Sequence, residues 1–412
     1  MFDYDKWQEI FATIRKNKLR TGLTAAGVFW GIFMLIFMMG MGDGLEKGVM
    51  KEFGGRSTNS LYVWPERTSI AYKGLPVGRG FGFTVDDINA IDENIDGIEI
   101  LAPRFMRHNA AVSYQSKNDK FHVRGEWAGI QKVEALAMQE GRFLNALDEK
   151  NKRKVAVLGR IVKETLFGEE SAIGQFITID GISFQVVGVS KYDGEVRRLQ
   201  EADEVIFTPL SGLMNSFGDG KHISWFVCTA APSIPVSSIE TKVKRLLANR
   251  HQVSPEDDQA IGSFNLEREY QRLASLFSSI RIFLWIVGIG TLMAGVVSVS
   301  NVMLIAVKDR TREIGVRKAL GATPWSIISL ILLESVFITT LSGYVGLLLG
   351  TAIVALINLA VGTEGEMFNN PEISLGVSLG SLIVLIISGA LAGLLPALHA
   401  ARIKPVEALR SE

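Results

Sequence analysis

Few side chains in this 412-residue sequence are placed to make or break covalent bonds. The five histidines, His108, His122, His222, His251 and His399, stand well apart, and no H-E-x-x-H zinc motif occurs. No G-x-x-x-x-G-K-S/T phosphate loop is present. The glycine clusters GMGDGLEKG and GRGFG lack the Gly-Lys-Ser/Thr ending that cradles phosphates. A G-x-S-x-G nucleophile elbow is missing too. Cys228, the one cysteine, rules out an intrachain disulfide or a CxxC metal site, and WFVCTA around it reads as a buried strand. The expectation is a non-enzymatic chain with no metal and no cofactor of its own.

The ionisable chemistry that stands out lies in two neighbouring places. Arg312, Glu313, Arg317 and Lys318 are interleaved with Ile314, Gly315, Val316, Ala319 and Leu320. Glu313 and Arg317 form a favourable i,i+4 pair on a short helix. Gly321 can end that helix and Pro324 can start the next. Charge alone fits an ordinary basic inside loop. The second place is Glu334, ten residues past Pro324, about 15 Å along a helix by its rise. A carboxylate in an apolar run is costly and is held by a partner. Lys16, Lys18 and Arg20 are candidates for a structural ion pair near the cytoplasmic face.

What must position these groups is a set of membrane spans. Hydrophobic residues make up 48% of the chain, and 43 Lys+Arg balance 43 Asp+Glu. That balance argues against a nucleic-acid binder. Spanning helices need about 20 apolar residues. Four uncharged runs qualify: 22 residues after Arg20, 26 after Arg281, 29 after Glu334 and 29 after Glu372. The expected spans are 21–42, 281–307, 324–360 and 376–401. Residues 1–20 read as an amphipathic surface helix, with Trp7, Ile10, Phe11 and Ile14 at helical spacing. Lys and Arg number five in 1–20, five in the 308–323 link, three in the 402–412 tail and none in the 361–375 link. Both termini and the 308–323 link are therefore expected in the cytoplasm, and 43–280 and 361–375 outside.

The 238 residues of 43–280 are enough for two subdomains. FHVRG, KVAVLG, QFITID, SFQVVGVS, EVIFTPL and SWFVCTA carry strand signals. ITIDGISFQVVGV reads as a hairpin turning at Asp180-Gly181. Thr84 is a candidate N-cap with Asp87 three residues on. DGLEKGVMKEFG and EREYQRLASLFSSIRIFLW extend the first and second spans outward as helical stalks. The fold class expected is four transmembrane α-helices with a large α+β extracytoplasmic domain between the first and second. The spans also carry GxxxG pairs at Gly27/Gly31, Gly346/Gly350, Gly376/Gly380 and Gly389/Gly393. Most suit packing within one chain; Gly27/Gly31 is expected at a contact between subunits.

VKDRTREIGVRKALGATPWSI (307–327) resembles the signature between the second and third spans of the MacB/FtsX-type ABC transporter permeases. GLLPALHAARIKPVEALRSE (393–412), RKNKLRTGLTAAGVFWGI, GRFL and VAVLGRIVKETLFGEESAIGQFITIDGISFQVVGVS resemble that family as well, in the family's order. Asp309-Arg310 stands where Glu-Arg is common, and Leu398-His399 where basic residues are common. The resemblance implies a permease subunit in a bacterial inner membrane, with a MacB-like periplasmic core domain. It implies that Arg312–Leu320 is the coupling helix for a separate ABC ATPase chain, which holds the ATP and Mg. It implies mechanotransmission for export by a homodimer or a paralogous permease heterodimer, with a periplasmic adaptor and an outer-membrane channel as further partners. Alternatives within the resemblance are a lipoprotein-releasing permease and an FtsX-like regulator of a cell-wall hydrolase. The size of the external domain favours the MacB or lipoprotein-release arrangement.

Overall fold

The computed structural model describes residues 18–51, 57–134, 136–192, 203–361 and 370–404. Most of the expected surface helix, the centre of the 361–375 link and most of the tail lie outside these residues. The chain divides into two compact units, one formed by 1–49 with 275–412 and one by 50–274.

Four helices are long and apolar enough to cross a membrane, over Ala25–Met50, Leu266–Asp309, Pro324–Ala360 and Leu375–Arg402. They are helical because a backbone in hydrocarbon must satisfy its hydrogen bonds internally. Val28, Ile32, Leu35 and Ile36 of the first span pack with Leu292, Val296 and Val299 of the second and Leu385 of the fourth. Ile282, Phe283, Ile286, Met293 and Val297 face outward, an arrangement suited to lipid. The third and fourth spans are also tied by a hydrogen bond from Ser335 Oγ to Gly389 O at 2.9 Å.

The inserted unit is built on a mixed sheet. Its strands are β1 (Ser60–Pro65), β2 (Phe83–Thr84), β3 (Ile98–Tyr114), β4 (Lys117–Glu126), β5 (Leu136–Gly141), β6 (Val155–Gly159), β7 (Phe176–Ile179), β8 (Ile182–Tyr192), β9 (Val205–Pro209), β10 (His222–Ile223), β11 (Trp225–Ala230) and β12 (Ile261–Asn265). The main order is β12-β1-β11-β3-β4-β9-β6-β8-β5, and β2 pairs with β10 apart from it. β7 bridges β8 back to β3, so β3, β4, β9, β6, β8 and β7 close into a ring. Val112, Val123, Leu158, Ile177, Phe184 and Ile206 belong to one buried cluster of this ring. The first half of β3 pairs with β11 and its second half with β4 and β7, so one long strand serves both halves of the domain. Helices Val85–Asn94 and Val236–Arg250 cover the β1/β11 side, where Ile88, Ile91, Val243 and Leu247 are buried.

Local chemistry explains the joints. Asp180 (φ 43°) and Gly181 (φ 87°) make the two-residue hairpin turn, both with the positive φ that a type I′ turn requires. The Asp180 carboxylate also accepts from Ala111 N–H at 2.9 Å and Arg107 Nε at 3.0 Å, which fixes the turn against β3. Thr84 N–H donates to Asp87 at 2.9 Å. Asp87 in turn takes Arg250 at 2.6 Å and His251 at 2.9 Å. Burial would raise its pKa, but the hydrogen bonds from His251 and Arg250 hold it well below the carboxylate range. Cys228 is buried on β11, and burial pushes its thiol up to about 12, so it packs as a small apolar residue.

Candidate functional site

Helix Leu266–Asp309 ends one residue before a nine-residue helix, Thr311–Ala319. Arg310 between them has non-helical angles (φ −102°, ψ 14°), and this breaks the long helix. The short helix stops at a Schellman turn. Ala322 N–H donates to Arg317 O at 3.0 Å and Gly321 N–H to Lys318 O at 3.1 Å, with Gly321 at φ 96°. Gly321 supplies the left-handed residue this ending needs, and Pro324 opens the third span.

This places the residues singled out in the sequence. Arg312, Glu313, Ile314, Gly315, Val316, Arg317, Lys318 and Ala319 lie on the short helix, and Leu320 caps it. Ile314 and Gly315 are buried against the unit, while Arg312, Val316, Ala319 and Leu320 are exposed. Spacings of four, seven and eight put those four exposed residues on one helical face. Trp325 is exposed just beyond them. Beside that face Glu313, itself exposed, begins a series of ion pairs that leads inward. Glu313 Oε1 receives Arg317 at 2.8 Å, and Glu313 Oε2 lies 3.3 Å from Arg310 Nε. Arg310 Nη1 is 3.5 Å from Glu334 Oε2. At the other end Lys318 Nζ donates to Ala401 O at 2.7 Å and Ile403 O at 2.8 Å. These are carbonyls at the C-terminus of the fourth span, where a cation is favoured.

Glu334 is therefore paired with Arg310, which follows the second span. The side chains of Lys16, Lys18 and Arg20 lie outside the described residues. Arg310 as a partner of Glu334 escaped the sequence because it depends on how the turn around Gly321 folds back. The Glu313–Arg317 spacing was readable; Arg310–Glu334 and Lys318 with the fourth span were not.

The glycine pairs are resolved by their neighbours. A Cβ on Gly27 would lie 3.6 Å from Gly295 Cα, and one on Gly31 would lie 3.1 Å from Leu292 Cδ2. Both partners belong to the second span of the same chain. The contact expected between subunits at Gly27/Gly31 is thus made within one chain: these glycines bring the first two spans together. Gly346 and Gly350 receive the first span, with built Cβ atoms 2.6 Å from Phe29 O and 2.9 Å from Ile36 Cγ2. Gly393 packs on Ser335 and Gly380 on Trp285, whereas nothing presses on Gly376 closer than 3.9 Å.

The opposite end of the helical unit carries a second ionic group that the sequence reading did not assemble. Lys47 pairs with Asp43 at 2.9 Å and Glu372 at 3.0 Å, and donates to Asn370 O at 3.2 Å. Arg281 meets Glu46 at 2.5 Å. Asp43, Glu46, Arg281 and Glu372 border a cavity of about 150 Å³ whose other walls include Met39, Phe277, Leu284 and Val377.

The inserted unit holds a third group. Arg104 on β3 stands in register with Glu126 on β4 and Trp225 on β11. Its guanidinium pairs with Glu126, reaches Glu134 at 2.7 Å, and lies 4.1 Å from the centre of the Trp225 ring. Burial pushes Glu126 up to about 7 against the pull of Arg104. Strand register brings Glu126 to Arg104, and Glu134, which follows the short helix Ile130–Val133, completes the group.

Residues 21–246 match the family described as MacB-like periplasmic core domain, and residues 285–405 match the FtsX-like permease C-terminal family. The chain is 28% identical over 408 residues to the macrolide export ATP-binding/permease protein MacB of Bdellovibrio bacteriovorus, covering 98% of this chain and 61% of that protein. It is 30% identical over 402 residues to the pyoverdine export ATP-binding/permease protein PvdT of Pseudomonas entomophila, covering 96% and 58%. The chain thus spans about 60% of the length of the curated relatives it matches. Among solved structures, the periplasmic region of MacB from Actinobacillus actinomycetemcomitans is similar at 17% identity and a TM-score of 0.45, covering 55% of this chain and 97% of that one. With both family matches in order along its length, this multi-pass membrane chain belongs to the MacB/FtsX-like family of ABC transporter permeases.

Proposed function

We propose that the chain is the permease of an exporter driven by an ABC ATPase on a separate chain, which binds the ATP and Mg. The short helix Thr311–Ala319 is its coupling element. One observation carries this reading: a face of Arg312, Val316, Ala319 and Leu320 is left exposed while the helix is tied to the membrane helices at both ends. Arg beside exposed Leu and Trp325 is a composition suited to a protein partner. A helix so fastened moves its spans when it is pushed.

In this reading the short helix and both termini face the cytoplasm of a bacterial inner membrane, following the basic residues. The inserted domain lies outside, on stalks formed by the ends of the first and second spans. Closure of the ATPase pair presses the short helices of two permeases, a homodimer or a paralogous heterodimer, and the stalks carry that motion to the inserted domains. An adaptor and an outer-membrane channel complete the path outward. The export names of the relatives support export over lipoprotein release or hydrolase regulation.

The test is co-purification of the full chain from its native membrane, followed by reconstitution. Proline at position 315 removes a hydrogen bond in the middle of a nine-residue helix and breaks it. Gly315→Pro should insert into the membrane yet lose ATP-driven transport. Unchanged transport by that variant would sink the assignment.

A further inference from the structure

The short helix is fastened at its two ends by different means. Lys318 holds the end of the fourth span through two backbone carbonyls, at 2.7 and 2.8 Å. Arg310 reaches the third span through one side chain, Glu334. Resting on the reading of this helix as the coupling element, we propose that Glu334 is the positioning residue through which a push on the short helix reaches the third span.

Three observations lead there. The first is the order of the ion pairs, Arg317–Glu313–Arg310–Glu334, which runs from the helix surface inward. Side-chain exposure is 38% at Arg317 and 46% at Glu313, and then falls to 25% at Arg310 and 7% at Glu334. Charges attract more strongly as water is removed. Once closed, the inward pair is thus the stiffest of the series, and the outer pairs are more compliant. A carboxylate set this deep in an apolar helix is retained for a purpose, since polar side chains there carry a large desolvation penalty.

The second observation is slack. A cavity of about 30 Å³ lies among Ile314, Ile327, Ile331 and Glu334. The Arg310–Glu334 distance of 3.5 Å exceeds the ~2.8 Å of a charge-assisted hydrogen bond. Ile314 packs with Ile327 and Ile331, and this gap is left beside them at the ion pair. An inward push can close the ion pair across this gap, and the charges then add to the load that the packing carries.

The third is the onward route. The third span meets the first through Gly346 and Gly350, which lie against Phe29 O and Ile36. That contact is steric and close, so a shift of the third span must move the first. Glu334 is therefore the point of entry to a rigid path, and Arg310 remains balanced by Glu313 when Glu334 loses its charge.

The experiment uses the full chain with Cys228→Ser, reconstituted in lipid nanodiscs with the ATPase that co-purifies with it. Spin labels at Leu45 and Leu276 report the ATP-dependent change in their separation. Glu334→Gln should keep the ATPase bound and lose that change. The swap of Arg310→Glu with Glu334→Arg should restore it, which a residue needed only for folding would not predict. A full distance change in Glu334→Gln overturns the proposal. Gly315→Pro is measured beside it: if that variant blocks the motion while Glu334→Gln does not, only the joint is wrong. If both transmit normally, the coupling reading itself falls. Should Glu334→Gln fail to accumulate, the swap decides alone: restored motion supports the joint, and a folded swap without motion overturns it.

Discussion

The two ends of the helical unit use the same residue types for different work. At the end bearing the short helix, a carboxylate inside an apolar span anchors a series of ion pairs that reaches outward. At the other end, Lys47, Asp43 and Glu372, with Arg281 and Glu46, form pairs that remain open to water. At the first end Glu334 has lost its hydration and depends on its partners. The second can exchange partners for water at little cost. A group meant to transmit force needs the first kind of bond. One meant to part and re-form suits the second.

This contrast predicts unequal penalties. Arg310→Leu takes away a cation that faces Glu334 and should destabilise the chain by about 3 kcal/mol, the scale for breaking a buried pair. Thermal unfolding in detergent measures it. A loss below about 1 kcal/mol, the scale of a surface pair, would erase the difference between the two ends. Gly346→Leu sharpens the point from the side of packing. Its Cβ would start 2.6 Å from Phe29 O, a backbone atom that cannot rotate away. Overpacking of that kind costs about 1–3 kcal/mol. It should lower the unfolding temperature without altering salt dependence, since no charge is involved.

Burial, rather than the membrane, sets these penalties, and the inserted domain supplies the comparison. Glu126 is fully buried beside Arg104, and its folded pKa is raised to about 7. In the unfolded chain a glutamate titrates near ~4.3. The folded state thus holds more protons between these values, and stability falls as pH rises through that window. The expected loss is about 2–3 kcal/mol at ~1.4 kcal/mol per pH unit. Hydrogen exchange of the β3 and β4 amides in the full chain, read from pH 5 to 8, checks it. Glu126→Gln should flatten the dependence; an unchanged slope would place the titration elsewhere. Asp87 has the opposite sign: its lowered pKa stabilises the domain above the usual carboxylate range, and this is lost as pH falls.

How much of this was readable depends on how local the signal is. The spans stand out because hydrocarbon demands about 20 apolar residues, and no soluble element imitates that. The β7–β8 hairpin was legible because Asp180-Gly181 alone meets the turn's need for positive φ. The short helix was legible because Gly321 and Pro324 bracket its end. β3 was not. Its 17 residues, IEILAPRFMRHNAAVSY, contain Pro103 and a register shift between Arg107 and Ala110, and they break any regular alternation. The strand is held by partners on both sides, and its own pattern does not announce it. The Arg104 cluster vanished with it. Gly27 and Gly31 show a similar limit: small residues signal a close approach, but only the fold says that the second span of the same chain is what approaches.

The smallest effect is the most direct check on the open end. Lys47→Gln removes a cation that touches both Asp43 and Glu372. Glu372 is exposed, and the hydrogen bond and charge of Lys47 hold its carboxyl below the usual range. Because water can replace Lys47, the substitution should cost no more than about 1 kcal/mol. The same pairs should weaken as salt rises, because exposed charges are screened within about 10 Å at 0.1 M. Raising salt in the parent chain should therefore reproduce most of the Lys47→Gln shift in unfolding temperature, and salt should do little more to the variant. The Arg310→Leu shift should persist at every salt concentration. If salt abolished the Arg310→Leu penalty as well, the two ends would be alike in kind, and the buried pair could not be the stiffer of the two.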